Sequence, residues 1–331
     1  MIKPDTGPST YEWWKYLAER PSPVRPERLS MAQIRALDTV ARRDYGRQRR
    51  RWHESILLRT PQVVRANEQL YDLLEANEDA VTRVRAAAAI DAPPSLGKST
   101  TVDAYGLRYH REQIDQLGEY VDDNDDILRI PVCRITPTGG VTIKGLHQQL
   151  FEFYAHPARR ATTGRVLARD LATMAGDAVR RHETRLIIID DVHFLRPGTE
   201  KGEQVANELK WLANEYPATF LFAGVALKQR GLFSEGRNGE FAALAQTGRR
   251  WTLLQLHAFD PLTAIGAPVW RDTLLGIEQR LMLARMRPGT LADTLSDYLY
   301  IRSAGVIGSL MQLRGLTPDL GHADSSTMLG K

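Results

Sequence analysis

Residues 89–100 read "AIDAPPSLGKST". From Ala92 onward they follow the pattern G-x-x-x-x-G-K-[ST], with alanine at the position of the first glycine. In that pattern a turn between a strand and a helix wraps phosphate oxygens. The wrap has three requirements: backbone N–H groups that point inward, a lysine that reaches the β- and γ-phosphates, and a hydroxyl that ligates Mg²⁺. Gly97 supplies the close backbone approach, Lys98 the charge and Ser99 the hydroxyl, and Pro94, Ser95, Leu96 and Thr100 complete the cradle. A helix starting at Lys98 would aim its positive N-terminus at the anion. Alanine at 92 costs little if the strand exit keeps a negative φ there. "GKS" alone arises by chance, so the rest of the chain has to decide.

The deciding partner is "RLIIIDD", residues 185–191, an apolar run that ends in two acids. A buried strand that delivers carboxylates to its C-terminal end places them at the ligand edge of a parallel sheet. There Asp190 is positioned to hold Mg²⁺ through water, and Asp191 to orient an attacking water. Either acid alone could merely cap a following helix. With a phosphate loop about 90 residues upstream, the pair reads as a nucleotide triphosphatase. His193 receives no role, and neither a Ser/His/Asp arrangement nor HExxH spacing occurs.

Strand patterns lie in "RAAAAIDA", "ILRIPVCRIT", "RLIIIDD", "ATFLFAGV" and "RWTLLQLHAF", with helical patterns between them. This alternation predicts an α/β fold, a parallel five-stranded sheet flanked by helices. Residues 261–316 carry only helical patterns and read as a small lid. The expected division is a basic arm with a helix from Ser30 (1–57), the nucleotide-binding α/β domain (58–260), the lid (261–316) and a disordered polar tail (317–331). Arg249 and Arg250 stand just before the last strand. There a guanidinium could reach a neighbouring subunit's γ-phosphate and stabilise transition-state charge, or simply complement a helix C-terminus.

The net charge is only +4, yet residues 1–60 hold 13 Lys/Arg against seven Asp/Glu. The excess peaks in "ARRDYGRQRRRWHE", where Tyr45 and Trp52 interleave arginines that include Arg47 and Arg50. Such a cluster suits phosphate neutralisation. Tyr11, Trp13, Trp14 and Tyr16 form an aromatic patch expected to dock on the body or on a partner. No apolar run approaches the ~20 residues of a membrane span, and the N-terminus lacks the apolar core of a signal peptide. Cys133 is the only cysteine, which suits a reducing cytoplasm and excludes an internal disulfide.

Phosphate loop, acidic strand, arginines before the last strand and a helical lid together resemble an AAA+ ATPase. In detail the chain looks most like the TniB/TnsC family of transposition regulators. "ILLRTPQVVRANEQLYDLL" resembles that family's entry segment, "IPVCRITPTGGVTIKGLHQQLFEFYA" its second strand and helix, and "FLFAGVALKQRGLFSEG" its sensor strand. "YIRSAGVIGSLMQL" resembles its lid motif around Gly305 and Gly308. The resemblance implies ATP and Mg²⁺ as cofactors and a homo-oligomeric ring or helical filament on double-stranded DNA. It further implies contacts to the phosphate backbone without base reading, and recruitment of a transposase, with a target-selection protein as a further partner. Lys144 would then face the DNA backbone, with Arg108, His110 and Arg111 as weaker candidates. Asp191 stands where the family usually has glutamate, the sensor strand ends Phe222-Ala223-Gly224 without a polar residue, and Ser309 occupies the place of a sensor arginine. These departures imply slow, switch-like hydrolysis. A competing reading is a nucleotide-gated signalling or defence ATPase that senses a protein without DNA. A small-molecule kinase is disfavoured, because no acceptor motif is present and the helical region comes last.

Overall fold

The first strand, Ala87–Asp91 (β1), is built almost wholly of alanine and is buried along Ala87–Ile90. Alanine has little intrinsic taste for strands, so the element exists because its neighbours demand it. In the computed structural model, which describes residues 3–80, 85–122, 126–137, 142–154, 166–192, 200–228, 251–284 and 286–315, β1 is flanked on both sides. It pairs in parallel with Thr219–Gly224 (β4) and with Trp251–Leu254 (β5). Phe222 sits in register with Ala89, so a large residue on one strand fills the space left by a small one on the next. Val132–Ile135 (β2) and Leu186–Ile189 (β3) complete a five-stranded parallel sheet of order β2-β3-β4-β1-β5. Continuous burial of β3 and β4 is what a sheet covered on both faces requires.

The sheet belongs to the first of two units, Met1–Arg20 with Gln62–Leu256. Its helices are Tyr11–Glu19 (α1), Pro61–Glu78 (α4), Lys98–Leu117 (α5), Ile143–Tyr154 (α6), Ala168–Arg181 (α7) and Glu200–Glu215 (α8). Asn77 of α4 clamps the entry to β1: its amide donates to Ala86 O and Thr219 Oγ1, and its oxygen accepts from Ala86 N, all within 2.9 Å. The aromatic patch resolves into α1. Trp14, 1 % exposed, packs against α5 at Gly106, where an added Cβ would lie 3.1 Å from the indole and 2.6 Å from Ile188 Cδ1. The Arg111 guanidinium donates to Ala18 O at 2.6 Å and so closes the C-terminus of α1.

The second unit is Pro21–Pro61 with His257–Lys331. It contains Met31–Ala36 (α2), Thr39–Glu54 (α3), Gly266–Arg280 (α9), a π-helical turn at Thr290–Thr294, Ser296–Ser303 (α10) and Ile307–Gly315 (α11). Instead of one helix from Ser30 there are two. Ser30 and Gln33 form a capping box for α2, but Asp38 accepts from Val40 N and Ala41 N and starts a new helix. In the lid, α10 and α11 are separate helices because Ala304 and Gly305 take left-handed φ values of 49° and 69°. Ile56 shares a core with Phe259, Trp270, Leu274, Ile277 and Leu310. Trp52 Nε1 donates to Arg280 O, and His53 Nε2 accepts from Met282 N. The basic segment drawn as one arm over 1–57 therefore divides between the units after Arg20. The tail 317–331 lies outside the described residues.

Candidate nucleotide site

Residues 92–97 leave the C-terminal end of β1 and turn into α5. Ala92 is buried, its N–H donates to Gly224 O at 3.3 Å, and it does not need a positive φ. The left-handed positions fall on Ser95 (φ 62°) and on Gly97 (φ 84°), the N-cap of α5. Glycine is thus required at 97 and dispensable at 92. Among the described residues no side chain caps α5, which leaves its first N–H groups facing the place of a ligand anion. Lys98, 8 % exposed, curls back and donates from Nζ to Ala92 O and Pro93 O, each at 2.8 Å. Burial pulls its pKa below the ordinary lysine value, and the carboxylates of Asp191, Asp190 and Asp91 pull the other way. Asp91 itself accepts from Lys228 N at 3.0 Å, which ties the loop after β4 to the strand that feeds the phosphate turn.

One strand lies between β1 and the acidic strand β3, so the phosphate turn and the two acids meet the same sheet edge. Asp190 N donates to Ile135 O, continuing the β2–β3 ladder, and the residue is 2 % exposed. Its Oδ1 accepts from Asp191 N at 2.9 Å, and its Oδ2 accepts from Arg134 Nη2 at 2.9 Å. Asp191 takes the left-handed conformation, φ 59°, which breaks the extended backbone just after β3.

Sequence reading missed Arg134 and Asp103. Arg134 Nε donates to Asp103 Oδ1 at 2.9 Å, and Nη1 donates to Thr136 Oγ1. Burial raises the Asp103 pKa, with the Asp190 charge adding to the rise and Arg134 opposing it. A signal was present: a lone arginine in the otherwise apolar "PVCRIT" has to find acids once the strand is buried.

The residues drawn together are thus the 92–100 turn with Lys98 and Ser99, and Asp190 with Asp191. Arg249, Arg250 and His193 lie outside the described residues. Of the DNA candidates, Arg111 caps α1, and Arg108 lies 5.2 Å over the Tyr105 ring and 3.6 Å from Glu112. Lys144 stands in the first turn of α6. Arg47 and Arg50 are exposed on α3, Arg47 beside Asp44 at 3.0 Å, in the other unit.

Ser99 and Asp190 offer a hydroxyl and a carboxylate, the hard oxygen donors Mg²⁺ takes. Lys98, Gly97 and the uncapped α5 N-terminus offer what a triphosphate takes. A parallel five-stranded sheet with flanking helices, a phosphate turn after β1 and a helical C-terminal region define the AAA+ P-loop NTPase fold. Residues 82–232 match the family model described as an AAA domain. The fold is similar to that of the Aeropyrum pernix ORC1 protein, whose structure is in complex with DNA, at 14 % identity and a TM-score of 0.52. It is similar to the ORC2 protein of the same organism, seen in ADPNP and ADP complexes, at 14 % identity and a TM-score of 0.51. Each alignment covers 80 % of this chain, and the chain spans 60 % and 63 % of those two structures. No curated protein matches the chain.

Proposed function

We propose that the chain is an Mg²⁺-dependent ATPase that acts as a slow nucleotide switch on double-stranded DNA and regulates transposition by recruiting or activating a transposase at a target site. The observation that carries the reading is the convergence of Lys98, Ser99 and Asp190 at one sheet edge, beside an uncapped helix N-terminus. Bound Mg²⁺ would neutralise the charge that develops on the γ-phosphate. Lys98 exchanges the carbonyls of Ala92 and Pro93 for phosphate oxygens. Ser99 and Asp190 would hold the metal, and Asp191 would orient the attacking water. Arg249 or Arg250 from a second copy completes the charge clamp, so the working form is a homo-oligomeric ring or filament.

The DNA half rests on α3. Arg43, Arg47, Arg50 and Arg51 recur at helical spacing and are all exposed, which forms a basic stripe suited to phosphates and not to base edges. The similarity in fold to the ORC1 protein, whose structure is in complex with DNA, supports the reading. Lys144 is a secondary contact, and a target-selection protein a further partner.

Calorimetry with Lys98→Ala tests the nucleotide half: ATP binding should vanish, and wild-type affinity would overturn the phosphate-loop assignment. Gel shifts on nonspecific duplex DNA test the other half. Binding should need an ATP analogue, and log affinity should fall with log salt by about 0.9 per phosphate contact. Nucleotide binding with no duplex binding would favour the protein-sensing alternative. An accompanying transposase should be stimulated in an integration assay only with ATP; failure there would remove the transposition role.

A further inference from the structure

The metal-side carboxylate already has a cation on it. We propose that Arg134 is the positioning residue that fixes the Asp190 carboxylate for Mg²⁺, by tying it to the same helix that presents Ser99. This rests on the assignment of Asp190 as the metal-side acid. In the β2–β3 pairing Arg134 lies opposite Ile188, so the two-residue period puts Arg134, Ile188 and Asp190 on one face of the sheet. That face meets α5, because Ile188 Cδ1 reaches Gly106. Asp103 lies one turn beyond Ser99 on α5, on the same side of the helix. The guanidinium bridges Asp103 Oδ1 and Asp190 Oδ2, each at 2.9 Å. The helix with the hydroxyl and the strand with the carboxylate are therefore joined through one planar group.

The arrangement also settles which lone pairs are spoken for. Asp190 Oδ1 takes the Asp191 N–H and Oδ2 takes Arg134, so each oxygen has one fixed donor and keeps a second direction for a metal-bound water. The charges point the same way. Asp103 balances Arg134, which leaves Asp190 its negative charge for the metal. Arginine suits the task where lysine does not, since its fork reaches two acids at once while its plane fixes their orientation. A buried ion pair is weak evidence for stability by itself, so the test has to separate positioning from simple structural support.

Measure the affinity of a fluorescent, non-hydrolysable ATP analogue with Mg²⁺ and with EDTA, for the wild type, Arg134→Gln, Arg134→Lys and Asp103→Asn. Arg134→Gln should lose about 10- to 100-fold of the Mg²⁺-dependent gain while its affinity in EDTA stays within about twofold of wild type. Arg134→Lys should recover part of the loss, and Asp103→Asn should show a smaller loss of the same kind. Equal falls with and without Mg²⁺ would overturn the proposal in favour of structural support. A rise in Mg²⁺-dependent gain would overturn it in favour of a cation that competes with the metal. Should Arg134→Gln fail to fold, the Arg134→Lys and Asp103→Asn ratios decide on the same criteria. A wild-type protein without any Mg²⁺ gain, or an Asp190→Asn variant that keeps it, would instead fault the Asp190 assignment, and the proposal falls with it.

Discussion

Asp191 holds φ at 59°, in the left-handed region that aspartate and asparagine adopt more readily than longer side chains do. That gives a backbone reason for aspartate where the resembling family places glutamate. Asp191→Glu should cost about 1 kcal/mol in chemical denaturation, because it restores the methylene but not the conformational tolerance. Asp191→Asn should leave stability unchanged and lower phosphate release about a hundredfold. Unchanged release in that variant would take Asp191 out of the water-orienting role. Gly305 is constrained more severely. Its φ is 69°, and a Cβ there would lie 2.0 Å from Phe259 O, while Phe259 N–H donates to Gly305 O at 2.9 Å and holds the two segments together. Gly305→Ala should destabilise the helical unit by about 2–4 kcal/mol, read as a lowered melting temperature. The glycine pair at 305 and 308 was visible in the sequence, but the carbonyl that forbids a side chain at 305 comes from residue 259.

At the scale of elements, the seam between α1 and α5 carries a buried titratable group. His110 is 4 % exposed, and burial lowers its pKa to about 4 from the ordinary 6.5, with the charges of Arg111 and Lys15 adding to the fall. A histidine held neutral in the fold contributes stability above its unfolded pKa and loses it as pH falls. The window here runs from 6.5 down to about 4. The full shift corresponds to at most roughly 3 kcal/mol. Melting temperatures of wild type and His110→Leu should therefore diverge across that window, with the wild type falling faster; parallel curves would show that His110 does not sense the seam. The α1 helix itself was legible only as an aromatic patch. Which ring turns inward was not, since Trp14 is chosen by the glycine at 106, nearly a hundred residues away.

At the scale of the whole molecule, the chain passes between its two units after Arg20, after Pro61 and after Leu256. The arginine-rich segment is therefore a folded part of the helical unit. Tyr45 Oη donates to Glu27 O at 3.0 Å, and Arg28 donates to Leu283 O and Met286 O, which locks 21–57 onto the segment after α9. Removing residues 1–20 should leave the melting of the helical unit intact. Removing 1–57 takes away Ile56 and the Trp52 and His53 bonds, and should open the unit to limited proteolysis. If protection survives the longer deletion, the segment is not part of that core.

The sequence by itself determined the strand–helix alternation, the phosphate turn and the acid-ended strand, because each is a local pattern: short apolar runs between helical periods, a glycine at a left-handed corner, an apolar run closed by two acids. It also located Gly97, Lys98, Ser99, Asp190 and Asp191 at one edge, since a parallel sheet sends every strand end to the same side. Only the tertiary structure decided that Arg134 and Asp103 close on Asp190, and that the basic segment folds with the lid. Those facts depend on which strands become neighbours and on which faces meet across 31, 56 and more than 200 residues of chain. No local period carries such information; burial decides it, because a guanidinium removed from water has to take the carboxylates that packing brings within reach.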